Sequence, residues 1–504
     1  MARVTTIRGA LSERRCGSAI VCRVGGASRR TALVIAVAGT VLHVTACTSV
    51  AHGTADQGAT VADAALLDTV QRRTFDFFWE TTNPANGLVP DRWPTPSFSS
   101  IAAVGFGLTA YGVGVERGWI TRDQAVQRVL TTLRFFWTAP QGPAAAGTIG
   151  HKGFFYHFVD MQTGARFRDV ELSTVDTSLL LGGVLFCQSY FTRDTPDERA
   201  IRAYADSLYR RVDWSFVQPN KPLVNHRWKP EDGYSRNDWR GYDESMILYV
   251  LALGSPTYPI DAAAWNAFHA TDRWLTFEGQ EHVNFAPLFG HQFSHVWIDF
   301  RGIRDDYMRA RGIDWFENSR RAVVSQRAYA IRNPRGFRDY SANVWGLTAV
   351  DGPVNDSLTI DGKGIRFWTY SARGAAATEI RDDGTIGPTA AVSSMPFAPD
   401  LAIAAMRTMR QTYGDHLFQK YGFLDAFNPT LRDPATRVQA GKIVPGVGWF
   451  DDDYLGIDQG PIVLMIENYR SDLVWRVMRS NPHIVRGLRR AGFRGGWIDQ
   501  APPA

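Results

Sequence analysis

From residue 62 onward the chain is a succession of helix-length apolar patterns, and they come in two kinds that alternate. Twelve segments are predicted, at 62–81, 99–117, 121–138, 173–191, 196–212, 242–253, 261–277, 291–310, 315–332, 391–413, 458–478 and 481–491, with no comparable series of strands. One kind has a wet face. Thr195-Pro196-Asp197-Glu198 opens a helix with an N-cap, a proline at the first helical position and an acid; Ile201, Ala205, Leu208 and Val212 then recur at helical spacing among Arg and Asp. The other kind has no wet face: Ser178 to Phe186 (SLLLGGVLF) and Ile101 to Val115 (IAAVGFGLTAYGVGV) are apolar or glycine-rich all round, as buried, closely packed helices must be.

Connections alternate too. Those leaving the buried helices are short (118–120, 191–194, 311–314), whereas those entering them are long and rich in Trp, Tyr, His and acids. Long loops inside a compact domain are usually functional. An inner ring of six helices inside an outer ring, with the long loops at one rim, satisfies both alternations. The expected fold is therefore all-α, an (α/α)6 toroid over 62–493, followed by a C-terminal tail at 494–504. The alternative is two helical bundles divided near 335–390, where Gly, Asp and Thr are dense.

The charge balance needs locating before it is interpreted. The net charge of +5 invites a polyanion partner, but residues 1–46 hold seven arginines against one acid, Glu13, and the remainder carries a net charge of −1. Nucleic-acid binding then loses its electrostatic support. This leader has a basic region ending in Ser28-Arg29-Arg30-Thr31 and an apolar run from Ala32 to Val44, too short to span a bilayer. It reads as a signal peptide over 1–46. Its end, Val44-Thr45-Ala46-Cys47, looks like a bacterial lipobox, so cleavage before Cys47 and lipidation of that thiol are expected, and the paired arginines resemble a twin-arginine signal. Residues 47–61 read as a small, polar tether, and the protein is expected to be exported and lipid-anchored to a bacterial membrane. Of the four cysteines, Cys16 and Cys22 lie in the leader and Cys47 carries lipid, which leaves Cys187 without a disulfide partner.

Four long loops carry most of the chemical signal: Gly150 to His157 (GHKGFFYH), His226-Arg227-Trp228 through Asp238-Trp239 to Glu244, Tyr340 to Trp345, and Trp449 to Tyr454 (WFDDDY). Aromatic faces beside carboxylates and amides suit sugars, which present apolar ring faces and hydroxyl edges together. Arg92, His157, Trp228, Trp239, Asp243, Trp345, Trp449, Tyr454 and Gln459 are taken as candidates for such contacts. Glycoside hydrolysis needs two carboxyl groups, one protonated beside the leaving oxygen and one ionised. Asp176 and Glu244 qualify, each placed in the first turn of a predicted inner helix; Ser173-Thr174-Val175-Asp176 is equally a capping pattern.

His291, His295 and Asp299 fall four apart on a predicted helix face. A span of i to i+8 covers about 12 Å, too far for three ligands on one ion, so these residues are assigned to sugar hydrogen bonding or buried support, and no metal or cofactor is expected. Asp451-Asp452-Asp453 lacks the glycine and distal glutamate of a calcium loop. The sequence has neither a phosphate loop of the G-x-x-x-x-G-K-[ST] type nor a G-x-S-x-G elbow.

Six motifs together resemble the bacterial glycoamylase-like family: Glu171 to Leu180 (ELSTVDTSLL), Gly241 to Met246 (GYDESM), Pro287 to Gly302 (PLFGHQFSHVWIDFRG), Asp383 to Ile386 (DGTI), Tyr421 to Asn428 (YGFLDAFN) and Tyr454 to Pro461 (YLGIDQGP). The resemblance covers 62–493 and implies an (α/α)6 barrel acting on carbohydrate; relatives include endo-β-1,2-glucanases and a module of cyclic β-1,2-glucan synthases. It places the suspected acid on Glu244, a second carboxylate near Asp176 and a third candidate on Asp458. It also implies a departure, since the glucanases carry a glutamate where this chain has Asp176. The expectation is a monomeric, exported glycoside hydrolase of a glucan, with an oligo- or polysaccharide as its partner. A silent glycan-binding lipoprotein and a transglycosylase are the alternatives.

Overall fold

A computed structural model describes residues 61–502. The readings of 1–46 as a signal peptide and of Cys47 as a lipid site lie outside them. The first helices are α1 (Val61–Thr81), α2 (Ile101–Glu116), α3 (Arg122–Thr138), α4 (Thr174–Tyr190), α5 (Pro196–Arg210), α6 (Met246–Gly254), α7 (Ala263–His269) and α8 (Phe293–Trp297). There follow α9 (Asp306–Arg309), α10 (Trp315–Arg332), α11 (Pro388–Val392), α12 (Pro399–Tyr413), α13 (Gly456–Ser471), α14 (Leu473–Met478), α15 (Pro482–Arg490) and α16 (Gly496–Gln500).

The two kinds of helix occupy the two rings of an α/α toroid. Inside, α2 packs on α4, α4 on α6, α11 on α13, and α13 returns to α2. Outside, α1 lies on α13 and α2, α3 on α2 and α5, α5 on α4, and α12 on α11. The glycines of the inner helices set how closely backbones meet. A Cβ on Gly105 would stand 2.3 Å from the Leu179 carbonyl oxygen, and one on Gly183 would stand 2.0 Å from that of Gly105. Only hydrogen fits at that crossing. The outer helix α5 buries Ile201, Ala205 and Leu208 and is capped by Thr195, whose side chain accepts from the Glu198 N–H.

Several predicted segments are redrawn; 391–413 breaks between α11 and α12, and 458–478 breaks at the left-handed Asp472 between α13 and α14. The segment 261–277 is helical only to His269; Trp274–Phe277 pairs instead with Gln280–Val283 as a hairpin. The segment 291–310 breaks into a 3₁₀ turn at Leu288–His291, α8 and α9, because Ile298 is extended and Asp299 folds back onto arginines. The residues read as a tail include α16, whose Ile498 is buried and whose Trp497 indole donates to the Asp299 carbonyl. The stretch 335–390 does not divide two bundles, since helices on both sides of it belong to one ring. Within it Arg373 is fully buried and grips Asp383 through Nε at 2.8 Å and Nη2 at 2.9 Å, which holds the stretch together. Breaking such a buried pair from one side costs about 3–5 kcal/mol.

The long loops gather at the pole where the inner helices begin. Five short strands, Gly150–His151, Phe154–Tyr156, Leu172–Ser173, Arg227–Lys229 and Gly233–Tyr234, form one antiparallel sheet there. Ser173 ends its strand and caps α4 in a single step, its side chain accepting from the Asp176 N–H.

Candidate active site

Because α4, α6 and α13 start at the same pole, acids near their N-termini converge although they lie far apart in the chain. Asp176 sits in the first turn of α4, Asp458 in the first turn of α13, and Glu244 in the turn just before α6 rather than inside the helix. All three line one cavity of about 440 Å³, with His157, Glu171, His226, Arg227, Trp239, Phe289, Phe293 and Tyr370 among its other walls. That volume lies within the range of small-molecule sites, about 300–1,000 Å³.

Asp176 is clamped. Its Oδ2 accepts from the Ser173 hydroxyl at 2.5 Å and faces His157 Nε2 at 3.4 Å, while His157 Nδ1 meets Glu171 Oε1 at 2.7 Å. Burial by itself would lower the basicity of His157, but the Asp176 and Glu171 charges outweigh it and raise the imidazole to about 9. Glu171 loses to burial and gains more from His157, which holds its carboxyl down at about 2.

Glu244 has the opposite environment. Its carbonyl accepts from Ser294 Oγ at 2.8 Å, which fixes the turn before α6. Enclosure raises its carboxyl well above the ordinary range, and the neighbouring Asp243 and Asp176 push it the same way. Asp243 stands behind it, accepting from the Ser245 N–H at 2.8 Å and hydroxyl at 2.6 Å, and burial lifts it to about 7.

The third wall is a cluster of acids with little compensating charge. Asp458 backs onto Asp425, and the carboxylate oxygens of Asp351, Asp425 and Asp451 lie within 4.8 Å of one another. Arg92 reaches Asp351 at 2.6 Å, Asp91 at 3.5 Å and Asp453 at 3.6 Å. One guanidinium cannot balance six carboxyls, so protons must. Burial, with the neighbouring acids, raises Asp425 and Asp451 well above the carboxylate range; burial lifts Asp458 to about 8, against its hydrogen bond with Asp425. Asp351, Asp425 and Asp451 are also close enough to share one cation, the closest approach to a metal-ligand set among the described residues.

Other candidates are sorted by the fold. Trp239 lines the cavity, stacked on His226 at 3.9 Å, its indole donating to Thr174 Oγ1 at 2.9 Å. Trp228 turns away and packs between His151 and Phe216; successive strand residues face opposite sides, so its neighbour Arg227 faces the cavity instead. His291, His295 and Asp299 do not share a helix face, because α8 ends at Trp297. All three are buried support: His291 Nε2 meets the Phe285 carbonyl, His295 Nε2 meets Ser319 Oγ, and Asp299 pairs with Arg301 and Arg479. Burial depresses His295 to about 3 and His291 well below its usual value, so both are neutral. Trp345, Trp449, Tyr454 and Gln459 are buried behind the walls; the Trp449 indole donates to the Ala440 carbonyl and the Gln459 amide to that of Phe423.

Glu171, His226, Arg227, Asn237, Phe289, Phe293 and Tyr370 line the wall and were missed as site residues, as was Asp425 behind Asp458. Most of them lie inside loops or motifs already singled out. Tyr370 does not: it lies on the loop closed by Ala349–Val350 pairing with Ser371–Ala372, a stretch without periodicity. Its side chain is half exposed at the cavity while its hydroxyl senses Asp458 and Asp425.

A family model described as "Putative glucoamylase" matches residues 236–482. An "Exo beta-1,2-glucooligosaccharide sophorohydrolase (non-reducing end)" of Parabacteroides distasonis is 30% identical over 464 residues, 85% of this chain and 58% of that protein, so the match spans little more than half of the relative's length. A "putative glucoamylase" structure from Bacteroides uniformis is 31% identical, covers 87% of this chain and 100% of its own, and superposes with a TM-score of 0.73. An endo-β-1,2-glucanase of Chitinophaga pinensis, solved with sophorotriose and glucose, is 29% identical, with 87% and 100% covered and a TM-score of 0.73. Similarity at this level, over the whole length of solved relatives and with the same helical ring, shows that the chain belongs to the glycoamylase-like family.

Proposed function

We propose that this protein hydrolyses a β-1,2-linked glucan, with Glu244 as general acid and the Asp425–Asp458 pair as the acceptor of the water proton. The observation that carries the reading is the electrostatic inequality around one sugar-sized cavity. Glu244 is a carboxyl kept protonated by its surroundings, which is what protonating a glycosidic oxygen requires. Burial raises both Asp425 and Asp458, and the two are close enough that they do not both ionise together; a pair holding a single proton keeps one carboxylate free to take a proton from water. Asp176 is held between the Ser173 hydroxyl and His157, and it suits a fixed negative charge beside the oxocarbenium-like carbon.

The choice of linkage is supported by relatives named for β-1,2-glucan or its oligosaccharides. Aromatic walls at Trp239, Phe289 and Phe293 supply apolar surface for sugar rings, and Arg227 and Asn237 supply donors for hydroxyls. A water-activating base implies inversion at the anomeric carbon. The test is incubation of the purified mature chain with a panel of linkage-defined glucans. Reducing ends from the β-1,2 polymer alone, with an inverted anomer in the fresh product, are expected; release from a different linkage alone refutes the substrate.

We also propose that the protein is exported, anchored through lipid on Cys47, and acts as a monomer. The basic leader, the short apolar run and the Val44-Thr45-Ala46-Cys47 junction support the anchor. Incorporation of labelled fatty acid in cells, abolished by Cys47→Ala, is the expected result.

A further inference from the structure

We propose that His157 is a positioning residue, held on one ring nitrogen by Glu171 so that the other holds the Asp176 carboxylate in place at the cavity wall. The inference rests on the glycosidase reading above and deepens it: Asp176 acts through its charge and by accepting sugar hydroxyls, while proton transfer is left to Glu244 and the Asp425–Asp458 pair.

The clamp is built by strand register. Tyr156 pairs with Leu172 across the rim sheet, which sets the next residue of one strand, His157, opposite Glu171 of the other. The main chain ties the same two residues together, since the His157 N–H donates to the Glu171 carbonyl at 2.9 Å and the His157 carbonyl accepts from the Ile101 N–H at 3.3 Å. The ring is stacked on Phe158 at 3.9 Å, which fixes its plane. In that orientation Nδ1 lies 2.7 Å from Glu171 and Nε2 lies 3.4 Å from Asp176. Both ring nitrogens thus face carboxylate oxygens, an arrangement that only the doubly protonated ring satisfies on both sides.

The burden on Asp176 is one-sided. Ser173 Oγ and His157 Nε2 both address Oδ2, and Oδ1 has no hydrogen-bond partner among the described residues. A carboxylate held through one oxygen on a cavity wall is placed to act as a binding and field-setting group. The other charges around the ring reinforce the arrangement: Asp91 also acts on His157, and Lys229 acts on Glu171. Arg227, on the neighbouring strand, pairs with Asp232 and feels Glu171 more weakly.

The test reads the ring directly. In the purified mature chain free of substrate, labelled-histidine NMR follows the ring-nitrogen shifts of His157, identified by their loss in His157→Asn. The ring is expected to remain doubly protonated through pH 8 and to titrate near 9; in Glu171→Gln the midpoint is expected to fall by about one unit or more. In parallel, the alkaline limb of kcat/KM for β-1,2-glucan is expected to move down in Glu171→Gln by the same interval, with the thermal midpoint at pH 6 changed little. A purely structural staple would lower activity equally at every pH. A wild-type midpoint near or below 6.5, or a Glu171→Gln protein whose midpoint and alkaline limb both stay put, overturns the proposal. If the wild type cleaves no β-1,2-glucan, the substrate reading falls, and the NMR titration still decides whether the clamp exists.

Discussion

Two walls of the cavity offer the same chemical group in opposite settings. On the α4 side Asp176 meets a serine hydroxyl and an imidazolium, so its negative charge is matched by donors from the neighbouring strand. On the α13 side Asp458 meets Asp425, with Asp351, Asp451, Asp91 and Asp453 behind and only Arg92 among them. The first setting holds a charge still; the second holds a proton loosely shared. Carboxyls of one type thus stand in distinct settings, as acid, base and electrostatic roles in a glycosidase require.

The comparison is broken most severely by removing the proposed acid, Glu244. Glu244→Gln keeps shape and loses the transferable proton, and kcat on β-1,2-glucan is expected to fall about a thousandfold with KM little changed, measured as reducing ends under saturation. Next comes Asp458→Asn, expected to cost about a hundredfold in kcat. If Asp458→Asn is mild and Asp176→Asn matches Glu244→Gln, the two walls have been assigned the wrong way round. Asp176→Asn itself is expected to lower kcat/KM about tenfold, a loss of about 1.4 kcal/mol of transition-state stabilisation, while leaving the anomer released unchanged.

Smaller effects sharpen the contrast through pH. Burial, with Asp243 and Asp176 beside it, raises Glu244 well above its ordinary value, so activity that depends on its proton is expected to persist to higher pH than an ordinary carboxyl allows and to be lost as pH rises further. His157 is raised from 6.5 to about 9 in the folded chain. It therefore binds its proton more tightly folded than unfolded; its contribution to stability is complete below pH 6.5 and is lost as pH climbs through 9. The difference in thermal midpoint between wild type and His157→Asn is expected to be larger at pH 6 than at pH 10, by a few degrees at most.

Much of the fold could be read along the chain because burial imposes local periodicity. The wet face of α5 and the faceless pattern of α2 and α4 assigned each helix to its ring before any contact was known. The breaks at 261–277 and 291–310 were not legible, since Trp274 to Phe277 and Val296 to Phe300 are as apolar as any helix. What breaks them is tertiary: a hairpin partner for one, and the two arginines that draw Asp299 away for the other. In the site, Asp176 and Glu244 were found from their places at the heads of inner helices. The aromatic candidates fared differently. Tryptophan signals a large contact area but not its direction, and Trp345 and Trp449 spend theirs in the core.

The chain alone determined which segments are inner and which outer, where the loops gather and which acids stand at helix heads, because these follow from spacing and polarity within a few turns. Only the tertiary structure decided that Glu171 meets His157, that Asp425 backs Asp458 and that Tyr370 overhangs the cavity. Proton affinity depends on charges a few ångströms away across packed walls, and sequence separation carries no measure of that distance.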